Sequence, residues 1–88
     1  MLSGERMETG TDERRTVLVA LRKRLGAAQG YVEKKAKIDH SRFSRWECGY
    51  VELSEIELMK VEQVLTDFLS DRLASLQAAR EELDVASA

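Results

Sequence analysis

The sequence contains no proline and a single cysteine, Cys48. Because nothing in the chain imposes a proline break, and because the 5 glycines all precede Tyr50, we predict an all-α protein with long helices in its second half. One cysteine excludes an intramolecular disulfide and is too few for a cysteine-based zinc site, so a reducing compartment is expected. His40 is the lone histidine and no ligand cluster surrounds it, so neither a metal nor a cofactor is predicted.

Long apolar runs are also absent. No stretch approaches the roughly 20 residues that a membrane-spanning helix needs, and the first residues carry Glu5 and Glu8 without the apolar core of a secretory signal. We therefore expect a cytoplasmic protein. A chain of 88 residues can bury one modest core, and no pair of catalytic groups can be placed together, so an enzyme is not expected.

The charges are sorted along the chain, although the net charge is only −2. From Arg14 to Trp46, ten Lys or Arg stand against two acids, Glu33 and Asp39, which makes this segment +8. Residues 1–13 contribute −3 and residues 47–88 contribute −7. A basic middle between acidic ends is expected if one face meets phosphates while the tail stays away from DNA.

Two helices are predicted before residue 37. Residues 1–10 show no apolar period and are expected to form a flexible arm, after which Thr11 or Asp12 provides an N-cap. Helix 1 then has an apolar stripe at three- and four-residue spacing and ends before Gly26. That stripe consists of Leu18, Leu21 and Leu25. Helix 2 is expected from Gln29 to about Ala36, with a poor N-cap because Ala28 has no side-chain acceptor.

A third helix follows after a turn of about three residues. Asp39 is a good N-cap for a helix from His40 through about Cys48, and Gly49 can adopt the left-handed conformation that ends it. Phe43 and Trp46 share one face of this helix, which we assign to the core. Its opposite face carries the short or basic side chains Ser41, Ser44, Arg45 and Cys48.

Ser54 and Glu57 form a capping box that opens a fourth helix, and nothing after it obliges the helix to stop before Ala86. Its expected apolar stripe consists of Ile56, Val61, Val64, Leu65, Phe68 and Leu69. Coiled-coil-like spacing continues through Leu69, Leu73, Leu76 and Leu83, with Arg80 interrupting the seam. Such a helix would extend about 45 Å, so it either bends near Ser70 and Asp71 or needs a partner. We predict a DNA-binding domain over residues 11–69 and an extension over residues 70–88 that supports a homodimer or a higher homo-oligomer.

Two short helices joined by a tight turn are the arrangement that fits the major groove of double-stranded DNA. We expect the third helix, over about residues 40–48, to carry the groups that read base edges, since arginine can donate two hydrogen bonds to guanine. These are His40, Ser41, Arg42, Ser44 and Arg45. Gln29 and the free N–H groups at the start of helix 2 are expected to hold a phosphate. Lys34, Lys35 and Lys37 are weaker candidates for phosphate contacts.

These residues resemble the Cro/phage-repressor-type helix-turn-helix family. The resemblance covers about Leu18 to Gly49 and consists of Leu18, Leu21, Arg22, Gly26, Gln29, Ala36, Ile38, Phe43, Ser44, Arg45, Trp46, Glu47 and Gly49 at the family's spacing. It implies a lambda-repressor-like bundle of four to five helices in a phage or bacterial DNA-binding regulator. It also implies a DNA contact for Gln29 and a structural ion pair between Arg22 and Glu47. The run from Asp39 to Trp46 is similar to small lambdoid phage transcription activators, which leaves repression and activation both open.

A protein-interaction module with the same fold and little DNA affinity is the alternative. Glu33, Glu52 and the acidic tail favour this interpretation. Glu33 stands among basic residues and must reach solvent or find a cation such as Arg45 or Lys37. Lys37 occupies a turn position that often holds glycine, which costs about 1 kcal/mol if its φ is positive.

Overall fold

The computed structural model describes residues 2–87, with side chains from residue 12 onward. Four helices follow one another in this part of the chain, which contains no strand: α1 (Leu2–Leu25), α2 (Gln29–Ala36), α3 (His40–Glu47) and α4 (Glu55–Ser87). The predicted all-α class is confirmed. The bounds of α2 and α3 agree with those expected from the sequence to within one residue.

The start of α1 differs from the prediction. This helix begins at Leu2, so Thr11 and Asp12 lie inside it and do not cap it, and no break separates an arm from the helix. Residues 5–8 are good helix formers, and Gly4 and Gly10 weaken a helix by about 1 kcal/mol each without preventing it. The absence of an apolar period was therefore a poor guide to backbone conformation here.

Three helices end in the same hydrogen-bonded motif, with a left-handed residue just after the last turn. Gly26 has φ +76°, Lys37 has φ 59° and Gly49 has φ +86°. After each helix, two successive N–H groups close back on the last turn, for example Gly26 on the Lys23 carbonyl and Ala27 on the Arg22 carbonyl, both at 3.1 Å. The predicted stops at Gly26 and Gly49 are confirmed, and Lys37 adopts the strained conformation that glycine accepts freely.

Side chains also fix two helix starts as predicted. The Asp39 carboxylate accepts from the N–H groups of Ser41 at 3.1 Å and Arg42 at 3.3 Å. At the start of α4, Ser54 N–H donates to Glu57 Oε1 at 2.9 Å, and Glu57 N–H donates to the Ser54 hydroxyl at 3.2 Å. Ala28 provides no side-chain cap for α2. The turn between α2 and α3 is therefore held on its α3 side by Asp39.

One core joins all four helices. Its largest fully buried side chains are Phe43, Leu65, Val32 and Val61, and the remaining members are Leu18, Leu25, Ala27, Ala36, Ile38, Trp46, Leu53 and Leu58. The α4 stripe was predicted partly wrongly, because Ile56 is 66% exposed and Leu69 is 37% exposed, whereas Leu58, which is missing from the predicted stripe, is 4% exposed. Leu58, Val61 and Leu65 follow helical spacing, and Ile56 lies outside their face.

Helix α4 is continuous over 33 residues and runs through Ser70 and Asp71 without a break. Arg14 of α1 ties its first half to the body by donating to Glu55 at 2.9 Å and Glu62 at 3.0 Å, and the Glu55 bond raises the pKa of Arg14. From Leu69 to Ser87 every residue is exposed. The molecule measures 60 × 32 × 19 Å, since the end of α4 projects from the body. None of the described helices is both long and apolar enough to span a membrane.

Candidate nucleic-acid interface

Helix α3 is anchored from within by its two aromatic residues. Phe43 is 0% exposed and Trp46 is 3% exposed, and their ring centroids lie 5.4 Å apart. The opposite side of the helix, which we call the outer face of α3, consists of Ser41, Ser44, Arg45 and Cys48. Ser44 is half-buried and the other three residues are exposed. The helix therefore presents short polar groups and one guanidinium to solvent from a fixed backbone.

The far end of α3 is fixed by a partly buried ion pair. Arg22 Nε donates to Glu47 Oε2 at 2.6 Å, and its Nη2 donates to Glu47 Oε1 at 3.0 Å. Arg22 Nη1 also donates to the Ala27 carbonyl at 2.8 Å. The structure thus brings together the two residues expected to pair. Their contact joins the last turn of α1, the loop before α2 and the end of α3.

Gln29 takes part in the same network. Its Nε2 donates to Glu47 Oε1 at 2.6 Å, and the residue is half-buried. The sequence led us to expect that this side-chain amide binds a DNA phosphate, whereas in the structure it donates a hydrogen bond to Glu47. The contact holds the first turn of α2 against the last turn of α3.

His40 faces a carboxylate at the turn between α2 and α3. Its Nδ1 lies 2.8 and 2.9 Å from the two oxygens of Glu33. Glu33 retains 14% of its side-chain exposure and His40 retains 70%. The cation expected for Glu33 is therefore neither Arg45 nor Lys37, but the imidazole when it is protonated. His40 meets an acid in the protein itself, on the side of α3 that faces α2.

Arg42 is held against the start of α4. Its Nη1 contacts Glu57 Oε2, and its Nη2 donates to the Glu52 carbonyl at 3.5 Å. The N–H of Ser54, together with the Arg42 guanidinium and the Ser54 hydroxyl, keeps the pKa of Glu57 below its ordinary value, against the opposing effect of burial. The Arg42 side chain is 45% exposed and that of Glu57 is 20% exposed. Arg42 thus remains accessible to solvent although it has an acidic partner.

Arg45 and the lysines differ in their surroundings. Among the described side chains, Arg45 has no hydrogen-bond or ion-pair partner, and Lys34 and Lys37 are exposed. Lys35 lies over the Tyr31 ring, 5.8 Å from its centroid, and lines a cleft against α4 with Asp67 and Asp71. The structure therefore groups Lys35 with α4 acids, away from the outer face of α3.

The described part of the chain holds no group of three or more His, Cys, Asp or Glu side chains that could bind a metal. Cys48 is a free, exposed thiol.

The sequence did not lead us to expect that an acid at the start of α4, Glu57, would contact Arg42 of α3. Glu57 was predicted only as a capping residue, a role that uses one of its two carboxylate oxygens. The second oxygen remains free to accept from a cation, and this could have indicated the contact with Arg42. No protein-family model, curated protein or solved structure matches this chain.

Proposed function

We propose that this chain is a sequence-specific DNA-binding transcription regulator that uses α2 and α3 as a lambda-repressor-like helix-turn-helix. In this proposal α3 enters the major groove with its outer face toward the bases. The observation that carries it is the placement of Arg45, which is exposed and, among the described side chains, has no hydrogen-bond or ion-pair partner, on a helix anchored by Phe43 and Trp46.

The dimensions of α3 suit this role. An α-helix with its side chains is about 10–12 Å across, and the major groove is about 12 Å wide. Arg45 can donate two parallel hydrogen bonds to guanine O6 and N7, while Ser41 and Ser44 can donate or accept at neighbouring base edges. The Arg22–Glu47–Gln29 network supports the proposal because it fixes the helix that would carry these groups.

Phosphate contacts would come from the surroundings of α3. Lys34 and Lys37 are exposed at the end of α2 and just after it. The start of α2 has no side-chain cap, so its first N–H groups are free to meet a phosphate oxygen. Lys35 contributes less in this proposal, because it lies with Asp67 and Asp71.

We further propose that the exposed end of α4 pairs with a second copy of the chain. Leu69, Leu76 and Leu83 repeat every seven residues and, at 100° per residue, lie on the side of α4 that buries Leu58 and Leu65 in the body. Leu76 is 58% exposed and Leu83 is 68% exposed. A two-fold pair would read two half-sites about 34 Å apart, or a multiple of that distance.

The test is an anisotropy titration of labelled duplex DNA, first with a random-sequence pool and then with sequences selected from that pool. Arg45→Ala should weaken binding to the selected sequence at least about fivefold, since a bidentate arginine–guanine contact discriminates by about 1–3 kcal/mol. Lys60→Ala is the charge-matched control, because Lys60 is exposed on α4. No binding by the unaltered chain at low salt, or equal effects of the two variants, would refute the proposal.

A protein-interaction module is the second candidate. It is favoured by the acids that face two of the expected reading residues, Glu33 at His40 and Glu57 at Arg42. The two candidates differ in salt dependence, because a groove binder that neutralises several phosphates loses affinity steeply as salt rises. A complex recovered with protein, and DNA affinity that is weak and nearly independent of salt, would favour the module.

A further inference from the structure

The two carboxylate oxygens of Glu57 have different partners. Oε1 accepts from the Ser54 N–H at 2.9 Å, which holds the side chain in the capping box, and Oε2 contacts Arg42 Nη1. The Glu57 side chain is 20% exposed and Arg42 is 45% exposed. If the contact opens, Arg42 can therefore move into solvent, whereas Glu57 stays in place because the start of α4 holds it.

We infer that Glu57 is an internal competitor for Arg42, and that it sets how strongly and how selectively α3 binds DNA. This inference rests on the function proposed above. A carboxylate and a phosphate present similar paired oxygens to a guanidinium, so DNA must replace Glu57 before Arg42 can contribute. On nonspecific DNA, replacing the Arg42–Glu57 ion pair with an Arg42–phosphate ion pair contributes little net binding free energy, because both pairs are exposed.

Selectivity follows from the charge that remains after the exchange. Once Arg42 leaves, the Glu57 carboxylate stays beside the groove and repels phosphates without compensation. Only a sequence that offers Arg42 a well-oriented pair of acceptors, as guanine does, can offset this repulsion. Glu57 therefore penalises random DNA more than a matched site.

Glu57→Gln is a sharp test because glutamine also closes a capping box. Its carbonyl oxygen can still accept from Ser54, while its amide removes the negative charge that holds Arg42. Glu55→Gln is the matched control: it removes the same charge from the same turn of α4, but Glu55 pairs with Arg14 and not with α3. The unfolding free energy of both variants, measured in urea, establishes that each one is folded.

We expect Glu57→Gln to bind a random-sequence duplex about five- to tenfold more tightly than Glu55→Gln does. A released Arg42 that neutralises one more phosphate should steepen the slope of log K against log salt by about 0.9. The gain should be smaller for the selected sequence, so the ratio of selected to random affinity should fall. Adding Arg42→Ala to Glu57→Gln should abolish the difference from Glu55→Gln.

The outcomes separate this inference from the proposed function. If the unaltered chain binds DNA and the two glutamine variants bind with equal affinity and slope, Glu57 is not a competitor, although the DNA-binding proposal stands. If the unaltered chain fails to bind at low salt and Glu57→Gln binds, the competitor role is supported, although the function proposed for the unaltered chain is refuted. If none of the three proteins binds at low salt, both proposals are overturned.

Discussion

Arg22 and Glu47 join the ends of α1 and α3 through two parallel contacts of 2.6 and 3.0 Å, and their side chains retain only 12% and 7% of their exposure. Glu47→Ala would leave the Arg22 guanidinium without its counter-charge at a mostly buried position. We expect a loss of about 3 kcal/mol in the free energy of unfolding, measured by urea denaturation followed through Trp46 fluorescence.

Glu55→Ala is the control for this effect. Glu55 also pairs with an arginine, Arg14, but its side chain is 67% exposed. Exposed ion pairs contribute at most about 1 kcal/mol, so this variant should lose far less stability. Equal losses of unfolding free energy in the two variants would show that the Arg22–Glu47 pair stabilises the fold no more than an exposed ion pair does.

Lys37 offers a prediction in which the same substitution has opposite signs at two nearby positions. Lys37 has φ 59°, so Lys37→Gly should relieve strain and raise the unfolding free energy by about 1 kcal/mol. Lys34→Gly places glycine inside α2 and should lower it by about 1 kcal/mol. Both variants remove one positive charge. A loss of stability in Lys37→Gly, measured by thermal or urea unfolding, would contradict the prediction.

The capping box predicts a specific pH dependence. Because the pKa of Glu57 is lowered below 4.5 in the folded chain, its ionised form stabilises the fold fully above that value, and this contribution is lost as the pH falls below it. The unfolding free energies of the unaltered chain and Glu57→Gln should therefore differ most near neutral pH and converge as the pH falls below 4.5 and through the lowered pKa of Glu57. A difference that stays constant down to about pH 3 would rule out this role for the Glu57 charge.

The projecting leucines predict the oligomeric state. Replacing Leu76 and Leu83 with glutamine should shift the chain toward a monomer in sedimentation equilibrium, because the seven-residue seam loses two of its apolar positions. Unfolding of the body should change little, since both residues are exposed. Val85→Gln is the control, because Val85 is 76% exposed and lies on the other side of the helix. An unchanged mass in the double variant would remove the argument for a homodimer through α4.

The helix ends were the part of the fold most open to prediction. Asp39, Ser54 with Glu57, Gly26 and Gly49 act on N–H and carbonyl groups a few residues away, so short sequence windows contain the whole interaction. The start of α1 was not predictable in this way, because residues 2–11 lack both an apolar period and a strong stop. Only helix propensity could have predicted the conformation of this segment.

The partners of the site residues were not predictable from local sequence. Arg42 meets Glu57 across 15 positions of the chain, and Gln29 meets Glu47 across 18. Which rotamer a long side chain adopts depends on how α2, α3 and α4 are packed, and each of these residues had a plausible solvent-facing alternative. The spacing of Phe43 and Trp46 predicted the outer face of α3 correctly. It did not show that Arg42, which we expected to be free for DNA, has an acidic partner.

The projection of α4 divides the stability of a single helix into two regimes. Its first half is buried around Leu58 and Leu65, so amide hydrogens there should exchange only when the whole body unfolds. The turns after Arg72 lack buried side chains, and a free helix of about 15 residues is marginal in water. The exchange rate of the amide hydrogens should therefore increase steeply along one continuous helix. The position of that increase should move toward Ser87 when a second molecule covers Leu69, Leu76 and Leu83.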